Sequence, residues 1–368
     1  NDPATDVVTL DPIGAGAQVE TADTILVQGN DVVFNATVDA AAAGADSLFV
    51  DTFADFSQSP VFGLTIFNAD VGGGSELQVL RTDTNAPLLI GGALTARTPV
   101  QVNDDAPANH LVGGFTVVNT PNVIVSDEMT FNDGLVVSQD ATLTANGAAG
   151  TVRFNNTVAS DSDTGEVGGT AITGADAVDN DLTIQAVTTV FDDNGGTGTG
   201  FADLAADTVD GQVGPTTDAF DASLGANTNP LDDTLAPIDV LVTDASGGAD
   251  VTYINTTYMG VGYAQFNDAV EVASDAAIHA TGDDTTLPQA ILFDDVLDSS
   301  SAETNDLLLV TTDGGTTRFN GQVGARAGAG DFTNALGHLQ TDLTGDFADP
   351  GVADGFTEVN TDLIQTNG

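Results

Sequence analysis

The dipeptide Phe-Asn recurs six times in this chain, and that recurrence constrains the fold more than any other feature. The copies are Phe34-Asn35 in VVFNATV, Phe67-Asn68 in TIFNADV and Phe131-Asn132 in TFNDGLVV. Phe154-Asn155 in VRFNNTV, Phe266-Asn267 in QFNDAVEV and Phe319-Asn320 in TRFNGQV follow. Phe293-Asp294 in ILFDDVL is a degenerate seventh. With 18 Phe in 368 residues, six such pairs lie far above chance. Most copies sit after a β-former and shortly before a valine.

The flanks repeat as well. SLFVDT (47–52) and LLLVTT (307–312) each precede a Phe-Asn copy. Both ADVGGGSELQVLRTD after Phe67 and GQVGARAGAGDFTNALGHLQTD after Phe319 run Val-Gly, a small-residue loop, then an apolar strand ending Thr-Asp. FNDGLVVSQDATLTANG (131–147) matches FNDAVEVASDAAIHATG (266–282). Matched copies lie far apart, so the expected organisation is a single elongated unit over 1–368. It carries about three imperfect super-repeats, roughly 20–120, 121–250 and 251–368.

The local period is that of strands. Short runs of Val, Ile, Thr, Phe and Tyr alternate with Gly, Asn and Asp, and no stretch carries a 3.6-residue apolar stripe. The acids agree: of 55, 48 are Asp and seven are Glu. Asp favours turns, whereas Glu suits helices. The stretches 159–181 and 192–235, rich in Asp, Gly and Thr, read as insertions on a strand scaffold.

An all-β chain with this repeat has two architectures open to it. One is a parallel β-helix (β-solenoid) with Asp/Gly-rich loop insertions; the other is a row of tandem β-sandwich domains. The solenoid accounts for more of the pattern. Its coils stack about 4.8 Å apart, so equivalent side chains form ladders. A repeated Phe then stacks internally, and an Asn at the corner donates its amide to the coil beside it. Corners such as Asp313-Gly314-Gly315 supply positive φ. About 25 residues per coil would give about 14–15 coils and a rod on the order of 70 Å.

TTDGGTTRFNGQVG (311–324), with the apolar strand around Leu336 and Leu339, resembles the repeat of filamentous-haemagglutinin-like, β-strand-repeat bacterial surface proteins. GYAQFNDAVEVASDAAIHATG (262–282) is similar to the next unit of that pattern. The resemblance covers roughly residues 25–85, 122–158 and 250–345. It implies a right-handed parallel β-helix, secretion, and an adhesive or structural role. The chain departs from the family in its complete lack of Lys and in its two Asp-rich insertions.

Composition closes many functional routes. There is no Lys, Cys or Trp, and the five basic residues are Arg81, Arg97, Arg153, Arg318 and Arg326. That excludes lysine and thiol nucleophiles, disulfides and thiolate metal sites. A net charge of −50 repels nucleic acid and anionic membrane surfaces. No apolar run reaches the roughly 18–20 residues of a spanning helix, so no membrane insertion is expected. No signal peptide opens the sequence, so a secreted chain would stand here in its mature form.

The remaining candidates for chemistry are few. His110, His279 and His338 lie in no metal-ligand spacing and read as surface or turn residues. The acid pairs Asp104-Asp105, Asp192-Asp193, Asp232-Asp233, Asp283-Asp284 and Asp294-Asp295 are what 55 acids give by default, although paired carboxylates can hydrolyse glycosides. No catalytic signature is present, so the chain is expected not to be an enzyme. Calcium is the one cofactor the residues admit. Asp161, Asp163 and Glu166 around Gly165 resemble half of a calcium loop, and Asp192 and Asp193 offer a second. Tyr253, Tyr258 and Tyr263 read as a ladder inside successive strands or as an exposed grip for sugars or a neighbouring subunit. Asn35, Asn155 and Asn255 begin Asn-x-Thr sequons, two of them within the Phe-Asn repeat.

No amphipathic capping helix is legible at either end, and an uncapped coil invites end-to-end stacking. The expected function is a secreted structural protein of the cell exterior or surface. It would be the subunit of a filament or surface layer built by homopolymeric self-association. An adhesin that binds cell-surface glycans is the alternative, and a polysaccharide-degrading β-helix is a weaker one.

Overall fold

Alternation of apolar and polar residues over three to ten positions makes strands here, and the Gly, Asn and Asp that interrupt them make the corners. The computed structural model describes residues 7–9, 24–29, 31–52, 64–82, 88–90, 93–95, 115–132, 134–155, 158–161, 166–167, 170–171 and 180–192. It also describes 235–236, 238–244, 250–256, 258–280, 290–300, 305–311, 315–324, 334–341 and 356–366. Among these residues the fold is all-β, without a helix, and most of the strands pair in parallel. The Asp-rich stretches 159–181 and 192–235 lie largely outside the described residues, as do Asp313 and Gly314.

The parallel strands form rows. The first row runs through Thr24–Gly29, Ser47–Thr52, Leu77–Thr82 and the second half of Asn122–Phe131. It continues through Thr151–Phe154, Thr188–Asp192, Val251–Asn255, Ala269–Val272 and Leu297–Ser299. The second row joins Val7–Thr9, Asp31–Phe34, Leu64–Phe67, Phe115–Val118, Gly134–Val137 and Val158–Asp161. The third takes the first half of Asn122–Phe131, then Ala141–Ala145, Leu182–Ala186, Ile238–Asp244 and the end of Tyr258–Phe266. Ala290–Phe293, Thr316–Phe319 and Phe356–Val359 complete it. Toward the C-terminus a fourth row fills the second row's step: the start of Tyr258–Phe266, Ala276–Ala280, Leu307–Thr311 and Leu339–Thr341. The chain visits first, second and third rows in a fixed order, and later first, fourth and third. The long strands Asn122–Phe131 and Tyr258–Phe266 each pair with strands of two rows.

Register turns this arrangement into lines of equivalent residues. One line in the first row reads Ile25, Leu48, Leu80, Met129, Val152, Thr189, Thr252, Val270, Leu297, Val323 and Ile364. A line in the third row runs from Val38 through Val71, Val123, Leu143, Ile184, Thr243, Phe266, Phe293 and Phe319 to Val359. Apart from Ile25, Ile364 and Val359, which are exposed, the side chains of these lines are buried and belong largely to one continuous apolar core. Strands such as Ala141–Ala145 and Leu182–Ala186 bury alternate residues only, as one-sided strands should. Seven phenylalanines are less than 2% exposed. Burial of each contributes roughly 1.5–3 kcal/mol.

Two corners show why Val-Gly recurs. Val71 and Val323 each bridge to the strands beside them, and the following Gly72 and Gly324 have φ of 71° and 68°. A β-carbon on Gly72 would sit 2.1 Å from the Ile124 carbonyl oxygen, and one on Gly324 would sit 2.2 Å from that of Gln365. Glycine supplies both the left-handed turn and the close approach of the neighbouring rung.

Candidate functional site

The recurrent Phe residues stack where register brings them together. Phe34 and Phe67 lie 5.0 Å apart between ring centroids in the second row. In the first row Phe131, Phe154 and Phe191 stack at 5.6 and 5.3 Å. In the third, Phe266, Phe293 and Phe319 stack at 5.2 and 5.5 Å. All five pairs are within 12° of parallel, the offset-stacked arrangement aromatic rings favour. The copies therefore make three short ladders on three rows. Phe191 belongs to the second of them and carries no Asn after it; its signal in the sequence was the run Val190-Phe191-Asp192, close to the degenerate copy at Phe293-Asp294.

The residues that follow the Phe form polar ladders at the corners. Asn68 donates its side-chain amide to Asn35 Oδ1 at 2.9 Å, and Asn119 donates to Asn68 at 3.0 Å. Asn155 donates to Asn132 at 2.8 Å, and Asn132 to the Thr82 carbonyl at 3.0 Å. Asn255 donates to Asp192, Asn320 to Asp294 and Asn360 to Asn320. The backbone N–H of the same residues joins neighbouring rungs: Asn68 to Phe34, Asn155 to Phe131, Asn267 to Thr243 and Asn320 to Phe293. Asn267 accepts from Gln265 through its side chain at 2.6 Å. Each Asn donor in these ladders gives its amide to an earlier residue on the neighbouring rung, so the Asn steps have a direction. Asn119 and Asn360 follow Val118 and Val359, so no Phe marks them in the sequence.

Three arginines are tied to acids on the strand surface. Arg81 makes a two-pronged bond to Glu128, Nε to Oε1 at 3.0 Å and Nη2 to Oε2 at 2.8 Å, and its guanidinium sits 5.4 Å from the Phe49 ring centroid. Arg153 meets Asp192 at 3.0 Å, and Arg318 meets Glu358 at 2.8 Å. Burial pushes the Glu128 carboxyl up. Hydrogen bonds from Arg81 and Thr130, with the charges of Arg81 and Arg153, outweigh it and hold the pKa below the ordinary value. Asp268 is the reverse case. Only 3% exposed, it accepts from Thr243 at 2.6 Å and Thr252 at 2.8 Å, yet burial dominates and raises its pKa.

The residues read as calcium ligands fall only partly within the described residues. Asp161 and Glu166 lie in the strands Val158–Asp161 and Glu166–Val167, while Asp163 and Asp193 are outside the described residues. Asp192 is engaged by Arg153 and Asn255. No group of three metal-ligating side chains occurs among the described residues. Of the acid pairs, Asp294 accepts from Asn320 and Gln265, and Asp295 accepts from the Val296 N–H. The pairs at 104, 232 and 283 lie outside the described residues.

One histidine departs from expectation. His279 sits within the strand Ala276–Ala280 rather than in a turn, and burial lowers its pKa. Its strand turns Ala276, Ile278 and Ala280 to the core, so His279 lies half-buried on the outer face. His338 is exposed and its Nδ1 lies 2.9 Å from Asp306; His110 is outside the described residues. Tyr253 and Tyr263 are half-buried on the outer faces of their strands rather than in the interior, and Tyr263 donates to Gln265 at 3.0 Å. Tyr258 begins its strand. Asn155 and Asn255 both commit their side-chain amides to the ladders, whereas the exposed Asn35 acts as an acceptor.

With this geometry in hand, the chain was compared with protein-family models, curated proteins and solved structures, and none matches. Among the described residues no helix is long and apolar enough to cross a membrane.

Proposed function

We propose that the chain is a right-handed β-solenoid and a structural subunit of an extracellular filament or surface layer, assembled end to end from copies of itself. The observation that carries this reading is where apolar surface is left open. Among the described residues, the exposed large hydrophobics are Ile25, Phe356, Val359 and Ile364. Ile25 belongs to the first described strand of its row, and the other three belong to the last described circuit. Among the described residues no other large hydrophobic side chain is exposed between them. The fixed circuit of rows, the continuous core and the Phe and Asn ladders support a coil as the repeating unit. The use of side chains as packing and ladder material supports a non-enzymatic role.

Fifty unbalanced negative charges oppose association, so assembly needs counterions. Sedimentation and negative-stain microscopy across a series of NaCl and CaCl₂ concentrations test the reading. Fibres of uniform width that lengthen with salt are expected, and a calcium requirement would appear as assembly abolished by chelator. Discrete monomers under all conditions would refute it.

A glycan-binding adhesin is the second reading, and one outer line favours it. Phe49, Arg81, Thr130, Arg153, Val190 and Tyr253 are in register on the outside of the first row. Aromatic faces flanking arginine–carboxylate pairs suit sugar rings and hydroxyls. A glycan array with wild type and the Tyr253→Ala variant tests it, and no binding by wild type would dismiss it.

A further inference from the structure

The outer line of the first row alternates in size. Arg81, Thr130, Arg153, Val190 and Tyr253 follow one another in register on successive strands, with Phe49 before Arg81. The long side chains of Arg81, Arg153 and Tyr253 are half-buried, whereas the short Thr130 and Val190 between them are 5% and 7% exposed. A ridge therefore stands on every second rung, with a recess between ridges. Neighbouring strands lie about 4.8 Å apart, so the corrugation repeats every ~10 Å. Two of the ridges are held in place, Arg81 by its two-pronged bond to Glu128 and by the Phe49 ring, Arg153 by Asp192. Each guanidinium is matched by one carboxylate, so these pairs add no net charge to a strip that lies on a chain of net charge −50. Past Tyr253 the line turns acidic at Glu271 and Asp298.

Resting on the glycan-binding reading above, we infer that this strip is a binding site for a neutral, linear, β-1,4-linked polysaccharide laid along the row. Such a chain is an extended ribbon, and its disaccharide unit is close to the length of two rungs, about 10 Å. Alternate sugars turn opposite edges to the protein, so one meets a ridge and the next a recess. Tyr253 supplies aromatic surface on which pyranose C–H groups pack. The guanidinium N–H groups donate to sugar oxygens, and the carboxylates of Glu128 and Asp192 accept from hydroxyls. Because the ion pairs already hold these groups, little side-chain freedom is lost on binding. The strip from Phe49 to Tyr253 crosses six strands, about 24 Å, the length of about five sugar residues. The negative field around it disfavours an acidic polysaccharide.

Isothermal titration with β-1,4-linked oligosaccharides of glucose and of N-acetylglucosamine, from disaccharide to octasaccharide, tests the site. Affinity should rise with length in at least one series until the strip is filled, near the hexasaccharide, and then level off. The β-1,3- and α-1,4-linked glucose hexasaccharides coil away from a straight line and should bind about tenfold more weakly. Tyr253→Ala should weaken hexasaccharide binding about tenfold, and Tyr253→Phe should retain it, because the ring makes the contact. Val190→Gln fills a recess and should weaken binding as much. Circular dichroism like that of wild type verifies folding of each variant. Equal affinity for the three linkages, binding confined to other glycans or to acidic ones such as polygalacturonate, or wild-type affinity in both Tyr253→Ala and Val190→Gln would overturn this site while leaving the glycan-binding reading in place. No binding to any glycan would overturn both.

Discussion

Phe154 is the residue whose removal tests the ladder most directly. Its ring is 1% exposed and lies between Phe131 at 5.6 Å and Phe191 at 5.3 Å, with interplanar angles of 9° and 12°. Truncating a buried Phe to Ala costs about 3–5 kcal/mol through lost transfer energy and the cavity left behind. Each stacked neighbour adds about 0.5–1.5 kcal/mol beyond area burial. With a ring on both sides, Phe154→Ala should fall near the top of that range, about 4–5 kcal/mol. Phe34→Ala, with the single stacked partner Phe67, should cost about 1 kcal/mol less. Repeat arrays unfold by neighbouring units rather than as one block. Hydrogen exchange is therefore the informative assay. Protection should fall in Asn122–Phe131, Thr151–Phe154 and Thr188–Asp192 and persist in Ala290–Phe293 and Thr316–Phe319. A double-mutant cycle of Phe154 with Phe191 should give a coupling of about 0.5–1.5 kcal/mol, and one with Phe293 should be additive within about 0.5 kcal/mol. Loss of about 1 kcal/mol or less at Phe154, or equal loss of protection in both ladders, would refute the reasoning.

Three other perturbations bear on charge and corners. The Glu128 carboxyl titrates below its ordinary 4.5 in the folded chain, so its stabilising contribution is complete above that pH and is lost as pH falls through the lowered value. Thermal melts should show the stability gap between wild type and Glu128→Gln closing on acidification; a gap independent of pH would contradict the assignment. Asp268 behaves oppositely: its pKa is raised above 3.8, so its contribution is present in acid and lost as pH rises through the folded value. Asp268→Asn should therefore melt higher than wild type at neutral pH, with the difference vanishing in acid, and a lower melting temperature at neutral pH would count against it. Gly72→Ala must place a β-carbon 2.1 Å from the Ile124 carbonyl oxygen at a φ of 71°, and should cost about 1–3 kcal/mol by chemical denaturation. Gly73→Ala meets only the Asp70 side chain and should cost clearly less.

Strand class and parallel stacking were legible because they rest on local alternation and on a repeated pair. Alternation is visible in any window, and Phe-Asn marks the last inward residue of a strand and the corner after it. The rows themselves were not legible. Which copies stack depends on where the chain stands in its circuit, and the loop lengths between rungs are irregular. Phe191 shows the limit from one side: its inward position is the same, but Asp192 replaces Asn and takes Arg153 and Asn255 as partners. Asn119 and Asn360 show it from the other, since valine fills the inward position before them. His279 escaped because its alternation with the inward Ile278 and Ala280 marks only its outward direction and not how far neighbouring strands cover that outer face. The arginine–acid pairs join residues 39 to 47 apart, a distance at which no local pattern operates.

The spacing between successive ladder partners has a consequence for how such a chain can change over time. Asn155 reaches back 23 residues to its partner, Asn68 33, Asn119 51 and Asn255 63, yet the bonds span only 2.8–3.0 Å. Loop closure costs only about 0.6 kcal/mol per doubling of length, so the difference between the shortest and longest of these connections is on the order of 1 kcal/mol. Insertions can therefore accumulate at the corners almost without thermodynamic penalty, while substitutions at the ladder positions are heavily constrained. The connections between rungs are thus free to diversify while the Phe and Asn positions that fill the interior and join the rungs stay fixed.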